Sequence, residues 1–132
     1  MRYIILGLGL ALAACAPEQK QIDGEAAFMA QCSGCHGRDG RGAGPMAAGL
    51  PKAPADLTTI SARNGGTFPE AKVMSQIDGF NRGKHGGADP MPHFGDGDLG
   101  PVVMTEDDGN PVPVPAELLA LSNYLRLIQR QP

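Results

Sequence analysis

The sequence predicts a small all-α domain in which three main helices are joined by long loops. Its 132 residues are about the length of one domain. The 19 glycines and 12 prolines place much of the chain in turns and irregular segments. No stretch alternates apolar and polar residues for long enough to predict a strand. The chain has no tryptophan and few other aromatic residues, so a large group at its centre would supply apolar mass that the side chains lack.

Each predicted helix is marked by a start signal, a stop signal or a periodicity of apolar residues. The first spans residues 23–31, and Asp23 is a suitable N-cap. The second spans residues 69–78 and stops before Gly79. Its buried side is marked by Val73, Ile77 and Phe80. The third spans residues 115–130, where apolar residues recur at spacings of three and four on one helical face, namely Leu118, Leu121, Leu125 and Ile128.

The charge pattern excludes one class of partner. The formal net charge is −3, and no basic face of the kind that binds nucleic acid is present. Acidic residues gather late in the chain, at Asp89, Asp96, Asp98, Glu106, Asp107 and Asp108. This cluster is interpreted either as a solvated loop or as a docking surface for a basic partner.

The first fifteen residues have the pattern of an export signal. Arg2 precedes an apolar run over residues 4–14, which is too short for a stable transmembrane helix. Residues 12–15, Leu-Ala-Ala-Cys, resemble the bacterial lipobox. The alternative is an ordinary signal peptide, cut near Ala14 or Ala16.

The lipobox resemblance implies a domain plan and a location. Residues 1–14 would be the signal peptide, and Cys15 would receive a diacylglyceryl group whose acyl chains anchor the protein to a membrane. Residues 15–22 would form a lipidated, flexible tether, and residues 23–131 would form the folded domain. The protein is therefore expected in the bacterial cell envelope, facing the periplasm.

The other two cysteines belong to a cofactor-attachment motif. Cys32-Ser33-Gly34-Cys35-His36 matches C-x-x-C-H, the attachment signature of c-type haem. Two thiols three positions apart near a helix end can each form a thioether with one vinyl group of the porphyrin. His36 would then lie under the iron as its proximal ligand. The sequence predicts one covalently bound haem c.

Three other interpretations of the motif are weaker. A redox-active cysteine pair would need a thioredoxin-like strand before the helix. A structural disulfide between Cys32 and Cys35 would suit an oxidising compartment. A zinc site would need four ligands and would have to recruit a distant histidine, His85 or His93.

The surrounding pattern resembles class I cytochromes c over roughly residues 23–131. The resemblance rests on Gly24, Phe28, Cys32, Cys35, His36 and Gly37, followed by Gly40, Gly42, Gly44 and Pro45. It implies a small cytochrome c fold, with its three main helices and long loops wrapped around one covalently bound haem. It also implies that the first and last helices cross near right angles, with Gly24, Phe28 and Tyr124 at the contact.

Further site residues follow from the same resemblance. The Pro45 carbonyl is expected to accept a hydrogen bond from the second ring nitrogen of His36. Arg63 is expected either to meet a haem propionate or to be an ordinary surface residue. Arg82 and Lys84 are weaker candidates for the propionate.

The sixth iron ligand is expected to be Met91. Candidate ligands are Met46, Met74, Met91, Met104, His85 and His93. The family pattern is a Met-Pro pair in a glycine-rich loop before the last helix, which residues 89–95 match. Met74 is better explained by core packing, and Met46 would fall on the proximal side. A histidine ligand and an open site remain the alternatives.

The segment over residues 95–114 is longer than in compact family members. Prolines at 111, 113 and 115 and the acidic residues predict an extended or mobile loop.

The predicted function is electron transfer between redox protein partners, and the chain is not expected to be an enzyme. Ligation of the iron by histidine and methionine raises its potential and leaves no open coordination position. The protein would be either a tethered shuttle or the haem subunit of a larger respiratory oxidoreductase. The rivals are a haem sensor or peroxidase-like protein with a labile sixth ligand, and a thiol-based exported protein without haem.

Overall fold

The computed structural model describes residues 22–80 and 90–130. Its helices are α1 (Gly24–Gln31), α2 (Ser33–His36), α3 (Ile60–Arg63), α4 (Glu70–Asp78) and α5 (Ala116–Leu127). Strands β1 (Val102–Asp107) and β2 (Asn110–Pro115) form a hairpin, and 3-10 turns span Ala47–Gly49, Leu57–Thr59 and Phe94–Asp96. The predicted signal peptide, Cys15, Arg82, Lys84 and His85 lie outside the described residues.

Helix α1 begins after an N-cap at Asp23 and is followed by Cys32 at its C-terminal end. The Asp23 carboxylate accepts hydrogen bonds from the backbone N–H groups of Glu25, at 2.9 Å, and Ala26, at 3.2 Å. This confirms the predicted N-cap. At the other end the N–H of Cys32 donates to the Phe28 carbonyl at 2.9 Å, and α2 begins at the next residue. The two cysteines therefore lie at and just after a helix junction.

Helices α4 and α5 supply most of the apolar core. Val73, Met74 and Ile77 of α4 are buried, as are Leu118, Leu121 and Leu125 of α5. Gly79 ends α4 in the left-handed conformation, with φ of 87°. Phe80, predicted to be buried, is 95 % exposed because the helix has ended before it.

The predicted contact between the first and last helices is confirmed. A Cβ atom at Gly24 would lie 2.0 Å from the carbonyl oxygen of Ala120 in α5, so only glycine allows this approach. The rings of Phe28 and Tyr124 pack with centroids 5.2 Å apart. Phe28 is fully buried in the core beside α5.

The hairpin corrects the prediction of a chain without strands. Strand β1 pairs antiparallel with β2, and Val103 lies opposite Val114. The prolines at 111, 113 and 115 alternate along β2. Because proline has no N–H, the ladder donors of β2 are the intervening residues, and the prolines occupy the free edge. The free edge of β2 therefore offers no N–H groups for further pairing.

The turn of this hairpin has a sequence signature, an Asp-Gly pair, that the periodicity of apolar residues does not reveal. Asp108 and Gly109 have φ values of 49° and 80°. An Asp-Gly pair with two positive φ angles is typical of a two-residue hairpin turn. Val114 in β2 is buried, so one face of the hairpin closes part of the core. The segment predicted as an extended or mobile loop therefore contains a structured hairpin.

Among the described residues, no helix has the length and apolar character that crossing a membrane requires.

The Gly24 contact gives a stability prediction. Gly24→Ala should lower the free energy of unfolding by about 1–3 kcal/mol, because the new methyl group overlaps a backbone carbonyl that cannot rotate away. Gly49→Ala is the matched control, since a Cβ there meets nothing within 4 Å. Denaturant titration of both variants measures the difference. Equal stability of the two variants would contradict the proposed close helix contact.

Candidate functional site

A cavity of about 300 Å³ lies between helices α1, α2, α4 and α5 and two loops. Its lining is mostly apolar, and its volume is in the range of sites that hold cofactors. The helical lining residues include Phe28, Val73, Ile77, Leu121 and Leu125, and the loops contribute Leu50, Pro54, Leu57, Pro90, Pro92 and Phe94. The core of this small domain is therefore built around a cavity.

The residues of the attachment motif meet in this cavity. Cys32, Cys35 and His36 all line it. The N–H groups of Cys35 and His36 donate to the Cys32 carbonyl at 3.2 and 2.9 Å, so one helical turn holds the three residues together. Side chains three positions apart on a helix are neighbours. Two thiols and an imidazole beside an apolar space fit covalent attachment and proximal ligation of a haem.

The orientation of His36 is set by a loop carbonyl. Its Nδ1 atom lies 3.1 Å from the carbonyl oxygen of Ala55. A carbonyl can only accept, so Nδ1 carries the proton and Nε2 has a lone pair to offer a metal. This corrects the prediction for Pro45, which is exposed and does not supply this carbonyl.

The glycine-rich loop that follows helix α2 donates backbone hydrogen bonds to it. The N–H groups of Gly42, Gly44 and Met46 donate to the carbonyls of His36, Cys35 and Gly34, at 2.7, 3.0 and 2.8 Å. These are carbonyls that a helix end leaves without intrahelical partners. The loop therefore supplies the hydrogen-bond donors that the carbonyls at the end of the attachment helix need.

The close approach of this loop requires glycine. A Cβ at Gly44 would lie 2.3 Å from the Gly34 carbonyl oxygen. A Cβ at Gly42 would lie 2.3 Å from the Pro54 carbonyl oxygen, one residue before Ala55. The same loop thus packs against both the attachment helix and the segment that orients His36.

Met91 reaches the cavity from the distal loop. It lines the cavity together with Pro90, Pro92 and Phe94, and it packs against the buried core. Met74 is buried in the core, as predicted. Among the candidate ligands that the structure describes, Met91 is the one that lines the cavity.

The other described candidates lie elsewhere. Met46 is 64 % exposed beside Gly34, and Met104 is 63 % exposed on the hairpin. His93 packs against Gly79 rather than lining the cavity. His85 lies outside the described residues.

The structure does not bring Arg63 to the cavity. Its guanidinium donates to the Asp56 carbonyl at 2.8 Å and to the Thr59 hydroxyl at 2.5 Å. Lys52 lines the cavity instead, and the sequence analysis missed it. A lysine in a loop, outside any motif, carries no sequence signal of its position relative to the cavity.

The electrostatics argue against a thiol-based redox site. Burial, followed by the charge of Glu117 and the proximity of Cys35, raises the pKa of the Cys32 thiol to about 11. Reactive cysteines have lowered pKa values, because the thiolate is the nucleophile. Cys32 and Cys35 are not joined in a disulfide. Within residues 22–80 and 90–130, no three His, Cys, Asp or Glu side chains gather as a metal site would need.

Comparison with known proteins finds one matching family. The model of the family described as Cytochrome c matches residues 21–128. No curated protein and no solved structure gives a significant match to the chain.

Asp56 anchors the segment that presents the Ala55 carbonyl. Its carboxylate accepts from the N–H and the hydroxyl of Thr58, at 2.9 and 2.6 Å, and from Arg130 at 2.8 Å. The Thr58 hydroxyl is the main cause that lowers the pKa of Asp56, and Arg130 lowers it further. Asp56 is thus stabilised in its ionised form in the folded protein.

This shift predicts a dependence of stability on pH. A carboxyl whose pKa is lower in the folded state stabilises above its unfolded pKa, about 3.9, and loses that contribution as pH falls through the folded pKa. Asp56→Asn should therefore be less stable than the wild type near neutral pH, with the difference shrinking below about pH 4. Unfolding free energies measured from pH 7 downward test this, with Asp107→Asn on the exposed hairpin as the control. A difference that stays constant into strong acid would contradict it.

Proposed function

The chain belongs to the cytochrome c family, and we propose that it carries one haem c, bound through Cys32 and Cys35, with the iron held by His36 and Met91. The family implies electron transfer by haem, and its members are typically carriers rather than enzymes. The protein would accept an electron from one redox partner and pass it to another.

One observation carries this proposal: Cys32, Cys35, His36 and Met91 all line the same apolar cavity. The thiols would hold the haem through thioether bonds, and the imidazole would bind through Nε2 while Nδ1 donates to Ala55. When bound, the haem supplies a one-electron couple between ferric and ferrous iron. The apolar side chains of α4 and α5 would exclude water from it.

The chemistry of Met91 favours electron transfer over oxygen chemistry. A thioether is a soft, neutral ligand that raises the haem potential. Met91, as a second protein ligand beside His36, would also leave no open position on the iron for small molecules. Lys52, beside the cavity, is the candidate partner for a haem propionate, in place of Arg63.

We also propose that the protein is a lipoprotein of the bacterial cell envelope, anchored through Cys15 and facing the periplasm. The support is the lipobox pattern at residues 12–15 after a short apolar run. Residues 15–22 would tether the domain of residues 23–131 to the membrane.

The alternative to a free shuttle is a haem subunit of a larger respiratory oxidoreductase. The observation that favours it is the outer face of the hairpin, where Val102 and Met104 are 66 and 63 % exposed. Apolar groups exposed together are typical of protein contacts. Co-purification with a larger complex after mild detergent extraction would favour the subunit.

Replacement of Met91 tests the proposed ligation. The ferrous wild-type protein should bind carbon monoxide weakly, whereas Met91→Ala should bind it stoichiometrically and have a lower reduction potential. Met104→Ala, on the exposed hairpin, is the control and should leave both unchanged. Optical titration and potentiometry measure the two quantities.

Two outcomes would contradict the proposal. Ready binding of carbon monoxide by the wild-type protein would favour the haem sensor or peroxidase-like rival. A colourless protein, made with cytochrome c maturation machinery, would exclude haem.

The anchor has a separate test. Cys15→Ser should abolish incorporation of labelled palmitate and move the protein out of the detergent-soluble membrane fraction. The wild-type protein should incorporate the label. An unlabelled wild-type protein recovered from the soluble periplasm would contradict lipidation and leave the haem proposal untouched.

A further inference from the structure

We propose that Asp78, Gly79, His93 and Gly95 form a distal clamp, a packing contact that positions Met91 and keeps it on the iron. The clamp joins the last turn of α4 to the loop that carries Met91. The inference rests on the proposed ligation by His36 and Met91, and it adds positioning residues to that site.

The first half of the clamp is the contact of His93 with Gly79. Gly79 ends α4 in the left-handed conformation, and its N–H donates to the Ser75 carbonyl at 3.3 Å. A Cβ at Gly79 would lie 2.6 Å from His93 Cγ and 2.9 Å from Nδ1. The imidazole therefore packs on the bare backbone of Gly79. Glycine is required here both for its φ angle and for this contact.

The second half is the contact of Gly95 with Asp78. A Cβ at Gly95 would lie 2.7 Å from the Asp78 carbonyl oxygen and 3.2 Å from its Cβ atom. The nearest of these atoms belongs to the backbone, so it cannot rotate away from an added methyl group. The 3-10 turn Phe94–Asp96 thus rests directly on the end of α4.

The distal loop divides its residues between the clamp and the cavity. Met91 and Phe94 line the cavity, while His93 and Gly95 contact the end of α4. Helix α4 also lines the cavity, through Val73 and Ile77. The clamp therefore fixes the loop to the same helix that forms part of the cavity wall.

The spacing makes Met91 sensitive to this contact. Only Pro92 separates Met91 from His93, and Pro90 precedes Met91. Proline fixes φ near −65°, so the loop has little freedom to absorb a displacement between the clamp and the thioether. A change that lifts His93 or Gly95 from α4 should move Met91 with it.

The fraction of molecules in which Met91 is detached from the iron measures how well the clamp positions Met91. With the iron held by His36 and Met91, carbon monoxide would bind it only in molecules in which Met91 is detached. The apparent affinity would then be proportional to the fraction of molecules in that state. A variant in which that fraction rises about tenfold should bind carbon monoxide about tenfold more tightly. The sulfur-to-iron absorption band of the ferric protein should weaken in parallel.

Two glycine pairs separate the clamp from general destabilisation. Gly95→Ala is matched by Gly97→Ala in the same loop, where the nearest atom to a Cβ is the Phe94 carbonyl oxygen at 3.4 Å. Gly79→Ala is matched by Gly66→Ala, because both have positive φ, 87° and 91°, and a Cβ at Gly66 meets nothing within 4 Å. Gly95 and Gly97 both lie outside the left-handed region, so neither alanine carries that strain. Within each pair the two variants differ in the contact with the clamp.

The experiment measures the carbon monoxide affinity and the sulfur-to-iron band of the four holoproteins. Gly79→Ala and Gly95→Ala should each bind at least about tenfold more tightly than their matched controls, with a weaker band. Equal affinities and bands within both pairs would overturn the clamp. Met91→Ala is measured in the same experiment, because it tests whether Met91 is the ligand at all. If Met91→Ala behaves as the wild type, the ligation proposal fails instead.

Replacement of His93 tests whether packing is the cause. His93→Ala should weaken the sulfur-to-iron band, whereas His93→Phe should retain it, because a flat ring can still cover Gly79. Loss of the band in both variants would overturn a packing role for the ring. An unchanged band in His93→Ala would overturn it as well.

Discussion

The attachment helix is too short to hold its own shape, and the site depends on what supports it. A four-residue helix cannot repay the cost of nucleation. Helix α2 is held instead by N–H groups that the following loop donates to its carbonyls, and that loop can approach the helix only because Gly44 has no side chain. The positions of Cys32, Cys35 and His36 are therefore set by backbone hydrogen bonds from outside the helix.

The same loop connects the attachment helix to the orientation of its histidine. Gly42 packs on Pro54, and the next residue, Ala55, faces His36 Nδ1. Asp56 then ties this segment to Arg130, beyond the end of α5. Cofactor attachment, histidine orientation and the position of the C-terminal segment are thus parts of one connected structure. Buried core residues such as Phe28 and Leu121 also line the cavity, so a group bound there would complete the core and stabilise the folded state.

The sequence predicts those features whose physical cause is local. The C-x-x-C-H spacing, the Asp23 cap and the Gly79 stop depend on neighbouring residues, and the structure agrees with this start and this stop. The last helix ends at Leu127, three residues before its predicted end at residue 130. The carbonyl acceptor for His36 was misplaced because every residue has a carbonyl, and only the return path of the loop selects Ala55 over Pro45. Lys52 likewise has no local sequence signal, because only the folded chain brings it to the cavity. The hairpin was missed because prolines usually argue against strands, whereas here they fall on alternate, edge-facing positions.

The central claim is that Cys32 and Cys35 hold one haem beside His36. Mass spectrometry of the mature protein, made in a host competent for haem ligation and then denatured and digested, tests this most directly. The predicted result is a single peptide that contains both cysteines and retains one haem, with neither thiol open to alkylation. A peptide of unmodified mass, with both thiols free or joined to each other, would contradict the account.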